Sequence, residues 1–268
     1  QTLFINNFFI LGVEVSANQN EITSKYETFS FEYNDATSSW NIATQDGYFW
    51  SLGGGTTIQI DKNSKDGKSK ANFKIKWLED GTCSLLVNSN DDPTLKWICA
   101  KKSGQLYTAS NGDSSVKFYL KIQNRTFLNL RAKNGSGFVG IKSPIGQQQQ
   151  LNGKLESNKT TPDSIKIEYA NSDNLDVDGG DGHDGVLKIN CCYLKMTSNN
   201  KYLSLIDGNS VAADASSLAC AQQWQLELRT GTFMAIRTIE SSSYLNLTGN
   251  GSVQVNACSP DQATLWEF

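Results

Sequence analysis

The chain holds one histidine, His183, and no cysteine pair at C-x-x-C spacing. These two shortages narrow the chemistry before any fold is considered. A structural zinc centre needs close ligand pairs and a second cluster. A Ser-His-Asp or Cys-His apparatus would have to be built around that one imidazole, which sits in a Gly- and Asp-rich stretch ill suited to holding a third partner. Long apolar runs are missing too, and none approaches the ~18 residues that span a bilayer. The opening QTLFINNFFILG is short and lacks a basic flank, so it does not read as a secretory leader. With no Met at its head, Gln1 reads as a processed terminus or a fragment edge. The glycine-rich SLGGGTT (51–57) lacks the Lys-Ser/Thr of a phosphate loop and precedes a strand, so it reads as a hairpin turn. No amphipathic helix longer than two turns stands out. A catalytic reading finds no constellation to rest on, and no cofactor is expected.

What is present is a globular composition over 268 residues, with 38% hydrophobic and 19% charged, enough for one large domain or two ordinary ones. Cysteines 83, 99, 191, 192, 220 and 258 read as reduced and mostly packed, since a chain this long does not need a disulfide scaffold. N-x-S/T sequons begin at Asn124, Asn134, Asn158, Asn246 and Asn250 and would matter only in a secreted protein.

The chain repeats itself six times. Short alternating runs (TFSFEY, NFKIKW, KFYLKI, SIKIEY, QWQLEL and LWEF) are led by Phe29, Phe73, Phe118, Ile165, Trp224 and Trp266, spaced 44, 45, 47, 59 and 42 residues apart. A second element precedes most of them (NFFIL, GYFWSL, TLKWIC, GFVGI, KYLSL, SYLNL), and a third usually lies between (TTIQID, GQLYTA, NSVAAD, GSVQVN). Alternation over four to six residues is the strand period, with one face buried and the other wet. Gly, Asn, Asp and Ser between the runs supply turns. Four short strands in each of six ~42-residue repeats predict an all-β protein of two tandem β-trefoils. A six-bladed propeller is the rival arrangement.

The 59-residue interval is lengthened by an insertion, residues 171–185, where Asp173, Asp176, Asp178, Asp181 and Asp184 lie among glycines. It reads as a solvated surface loop. Asp176, Asp178, Asp181 and Asp184 form a weak calcium candidate, weak because an EF-hand needs a Glu at its twelfth position.

Charge is uneven. Residues 62–133 hold 14 Lys or Arg against 6 Asp or Glu in a chain whose net charge is −3. A basic face on an acidic protein suits an extended acidic partner. Nucleic acid is disfavoured because the basic stretch lacks exposed interleaved aromatics.

The collinear order of several stretches resembles the fascin family, actin-bundling proteins built from four β-trefoils, over their second half. VSANQNEITSKYETFSFE, FKIKWLEDGTCSLLVNS, KWICAKKSGQLYTAS, LKIQNRTFLNLRAKNGSGFVGIKS and VQVNACSPDQATLWEF follow one another as in that family. The resemblance implies domains at 1–123 and 124–268, of third- and fourth-trefoil type, with the insertion inside the second. It implies actin-filament binding and bundling through basic patches, in the cytoplasm on the actin cytoskeleton, by a monomer or part of a longer four-trefoil chain, with no membrane partner. Candidate contacts are Lys96, Lys101, Lys102, Arg125, Arg131 and Lys133. Lys133 and Asn134 stand where the family has a Glu-His pair, and Gln254 where its last repeat carries a lysine. The competing function is carbohydrate binding, since β-trefoils also serve as lectins. Only QQW (222–224) fits a lectin repeat, and Leu226 and Leu228 mark Trp224 as core.

Overall fold

Every quoted alternating run becomes a strand, because Gly, Asn and Asp break the chain before any of them can lengthen. The computed structural model describes residues 2–6, 9–11, 14–16, 28–53, 56–60, 70–88, 93–113, 115–122, 126–135, 137–142, 154–169 and 191–267. Among them are 25 strands and one short 3₁₀ turn, Leu218–Cys220. The chain divides into two units, Gln1–Leu78 with Thr82–Asn124, and Arg125–Phe268 with Glu79–Gly81.

The first unit contains β1 (Thr2–Asn6), β2 (Phe9–Leu11), β3 (Glu14–Ser16), β4 (Thr28–Asn34), β5 (Ser39–Thr44), β6 (Trp50–Leu52), β7 (Ile58–Ile60), β8 (Asn72–Trp77), β9 (Cys83–Asn88), β10 (Lys96–Ala100), β11 (Leu106–Ala109) and β12 (Tyr119–Ile122). Six of them run in a ring. β1 pairs with β4, β4 with β5, β5 with β8, β8 with β9, and β12 with β1. Backbone bonds of 2.8 and 2.7 Å between Cys83 and Phe118 join β9 to the entry of β12 and close it. The other six form hairpins β2–β3, β6–β7 and β10–β11. SLGGGTT is the connection within β6–β7, with Gly54 and Gly55 outside the described residues.

The second unit contains β13 (Phe127–Leu128), β14 (Arg131–Ala132), β15 (Phe138–Ile141), β16 (Leu155–Lys159), β17 (Ile165–Tyr169), β18 (Cys192–Met196), β19 (Tyr202–Ile206), β20 (Ser210–Ala215), β21 (Trp224–Thr230), β22 (Phe233–Thr238), β23 (Tyr244–Leu247), β24 (Val253–Ala257) and β25 (Trp266–Glu267). Its ring runs β13–β17–β18–β21–β22–β25–β14. Hairpins β15–β16, β19–β20 and β23–β24 cap it, and all three touch one another through the pairs Lys154–Ala212, Glu156–Ser252 and Ser210–Gln254. Within each unit, strands from well-separated stretches of sequence therefore pair around one barrel. Closure removes the exposed edges that short strands would otherwise present.

The leading residues of the six runs fill the cores. Phe29, Phe73, Ile165, Trp224 and Trp266 are fully buried and Phe118 is 1% exposed. They stand at or beside the start of their strands, and three sit where barrel strands meet, Phe73 opposite Trp40, Trp224 opposite Cys192 and Trp266 opposite Met234. In the first unit Trp50 meets the edges of Phe29 at 5.1 Å and Phe73 at 5.8 Å. Such pairs add about 0.5–1.5 kcal/mol beyond the area they bury. Cys83, Cys99, Cys191 and Cys192 are buried, whereas Cys220 and Cys258 are exposed.

Candidate functional site

In the first unit, Lys96 opens β10, and Lys101 and Lys102 stand exposed on the turn to β11. Gly104, at φ +85°, lets that turn close through bonds of 2.9 Å between Gly104 N–H and the Lys101 carbonyl, and between Lys101 N–H and the Gln105 carbonyl. The Lys101 ammonium donates to Gln105 Oε1, and among the described residues no acidic side chain pairs with either lysine.

In the second unit, Arg131 lies on β14 and Lys133 on the turn that follows, both exposed. Arg125 lies outside the described residues, as do His183 and the candidate calcium ligands Asp176, Asp178, Asp181 and Asp184. Among the described residues no three His, Cys, Asp or Glu side chains come together as a metal site would require.

Arg131 belongs to a series that repeats through the fold. The aromatic opening each of several cap hairpins lies under a cation: Phe49 under Lys70 at 3.8 Å, Trp97 under Lys76 at 5.0 Å, Phe138 under Arg131 at 5.9 Å and Tyr202 under Lys195 at 4.7 Å. Cation–π attraction of about 0.5–1 kcal/mol at such exposed sites fastens cap to ring. Arg131 thus has a packing role whatever else it contacts, whereas Lys101 and Lys102 cover no ring.

Lys133 instead leans over Phe233, 5.1 Å from its centroid, at the mouth of a pocket of ≈ 610 Å³ within the second unit. Asn134, Arg229, Thr230, Pro260, Asp261 and the chain at 263–265 complete it. Ala263 and Leu265 also pack against Ala235, Tyr244 and Ala257, which fixes the floor.

Behind Arg229 lies a buried polar cluster. Glu227 is fully buried and forms ion pairs with Arg229 and, at 3.4 Å, with Arg237. Tyr244 donates its hydroxyl to Glu227 at 3.2 Å, and Arg237 Nε donates to Gln225 Oε1 at 3.0 Å. Burial pushes the Glu227 carboxyl above its ordinary range, and the two guanidiniums and the tyrosine hydroxyl oppose that rise. Arg229 Nε is buried without a hydrogen-bond partner among the described residues.

Along β21 the polar residues between the apolar ones are buried as well, Gln225 being 4% exposed and Glu227 fully buried. Period-two alternation cannot distinguish an outward face that meets water from one that closes on arginines of its own hairpin. Trp224 is core, as its leucine neighbours predict, and its indole N–H finds no partner among the described residues.

No family model matches the chain. Among solved structures it is similar to a mosquitocidal holotoxin, at 10% identity over 99% of this chain and 33% of that one, with a TM-score of 0.38. It is also similar to a GH43 β-1,3-galactosidase, at 10% identity over 92% and 63%, TM-score 0.37, and to the hemolytic lectin CEL-III, at 12% identity over 100% and 64%, TM-score 0.31. The chain therefore spans a third of the first and under two thirds of the other two. Likeness at this level transfers neither a site nor an activity.

Proposed function

We propose that the chain is a non-catalytic binding module of the fascin type, two tandem β-trefoils that engage actin filaments through exposed basic side chains. Supporting the trefoil reading, the six-strand ring of the first unit and the seven-strand ring of the second are each accompanied by three hairpins, and the three hairpins of the second unit touch pairwise. The observation that carries the filament reading is the Lys101–Lys102 turn, whose two exposed ammoniums meet no ring and no carboxylate among the described residues. Cations so placed suit an acidic filament surface and act through long-range attraction as much as contact.

Co-sedimentation with actin filaments tests this. The chain should pellet with filaments at low salt and release as ionic strength shortens the Debye length to about 8 Å. Lys101→Glu with Lys102→Glu should abolish pelleting without altering the melting temperature. Unchanged pelleting in that variant refutes the assignment of the turn.

Carbohydrate binding is the second reading, favoured by one observation, the pocket of the second unit, where charged and hydroxyl side chains stand beside an apolar lining. Retention on an immobilised glycan by a chain that ignores filaments at low salt would leave this reading standing alone.

A further inference from the structure

We propose that the pocket of the second unit binds a sugar acid, a hydroxyl-bearing ring carrying one carboxylate. This goes beyond filament binding and does not depend on it. The volume of ≈ 610 Å³ lies within the roughly 300–1,000 Å³ usual for small-molecule sites.

The cationic side is Lys133 and Arg229. The Lys133 ammonium lies 5.1 Å from the Phe233 centroid, and with three N–H donors it has more than one ring contact can use. Arg229 shares the one carboxylate of Glu227 with Arg237, so its charge is only partly matched. A carboxylate supplies both a charge and acceptors to such a pair.

Asp261 limits what else the ligand can be. Its exposed carboxylate, on the same pocket, opposes a dianion such as a phosphate monoester but accepts well from hydroxyls. Thr230 adds a hydroxyl that both donates and accepts. The Thr264 hydroxyl is already used, since it donates to Asn246 Oδ1 at 2.7 Å and accepts from the Leu247 amide at 2.9 Å. It therefore holds the wall rather than the ligand. Pro260, Ala263 and Leu265 provide an apolar strip against which the C–H face of a pyranose can lie. Cation, hydroxyl acceptor and apolar strip together describe a uronate better than a neutral sugar or an inorganic anion.

An NMR titration of the full chain tests this, with glucuronate, glucose and glutamate as probes. Glucuronate should shift the amides of Lys133, Arg229, Thr230 and Asp261–Leu265, with glucose binding about tenfold more weakly for want of the charge-assisted bonds. Lys133→Met, which retains a side chain to lie on Phe233, should lower glucuronate affinity to that of glucose. Asp261→Asn should weaken both sugars. The proposal fails if glucuronate leaves these amides unmoved at tens of millimolar, if glucose binds as well, or if glutamate binds more tightly. It also fails if Lys133→Met keeps the preference for glucuronate. Filament pelleting is read separately, so either result can stand without the other.

Discussion

Among individual side chains, legibility depended on which face of a strand a residue takes. The six leading residues were readable because each starts an alternating run whose inward positions are all large and apolar. Trp224 shows the consequence of burying such a residue: removing its ring leaves a cavity that the barrel strands cannot close. Trp224→Ala should cost about 3–5 kcal/mol in a denaturant titration. A loss below about 1 kcal/mol would mean the ring is not at the core. Glu168 shows what was not readable. Its carboxylate accepts from the Lys166 ammonium at 2.8 Å on its own strand β17 and from the Tyr202 hydroxyl at 2.6 Å on β19, and no local pattern announces the second contact. Burial pushes the Glu168 carboxyl up, but Lys166 and Tyr202 outweigh it and hold the carboxyl below its ordinary range. Burial, then Glu168, pushes Tyr202 up to about 12. A depressed carboxyl stabilises the fold above its unfolded-state pKa and loses that contribution as pH falls through the folded value. A raised phenol stabilises the fold below its unfolded-state pKa near 10 and loses that contribution as pH rises towards about 12. Tyr202→Phe should therefore lower mid-pH stability by about 1 kcal/mol and flatten both the acid and alkaline limbs of the stability profile. Parallel limbs in parent and variant would refute the coupling.

For the strands and hairpins, periodicity and turn residues sufficed to find elements, and the cations that fasten caps to rings were hidden. Lys76 and Trp97 stand on β8 and β10, separated by a whole strand, so their contact follows only from the pairing of β8, β9 and β10. The same aromatic explains a glycine. A Cβ on Gly112 would sit 2.9 Å from Trp97 Cε2, inside van der Waals contact with a ring already fixed between β9 and β11. Gly112→Ala should therefore destabilise by about 1–3 kcal/mol, as overpacking does, and near-ultraviolet circular dichroism should report the displaced indole. Wild-type stability with an altered spectrum would show that the ring gives way freely, and an unchanged spectrum would exclude the contact.

At the scale of the whole molecule, the sequence read one basic region at 62–133, and the fold distributes it between units. Lys101 and Lys102 belong to the first unit, Arg131 and Lys133 to the second, and of the latter pair one covers Phe138 and the other borders the pocket. The pocket was illegible because Lys133, Arg229 and Asp261 lie far apart in the sequence and are joined only when β22, β25 and β14 pair. This division bears on bundling, which needs two filament contacts on one particle: of the candidate contacts among the described residues, two without a ring or pocket contact, Lys101 and Lys102, both stand on the first unit. One strong contact gives binding without cross-linking, whereas two on a tether gain from effective concentration. The chain should then pellet with filaments at high speed and fail to form the bundles that pellet at low speed. Two copies joined by a flexible linker should bundle. If the lone chain bundles as well as the joined pair, the second unit carries an independent filament site, and reversing Lys133 to Glu should then remove bundling while leaving single-filament binding intact.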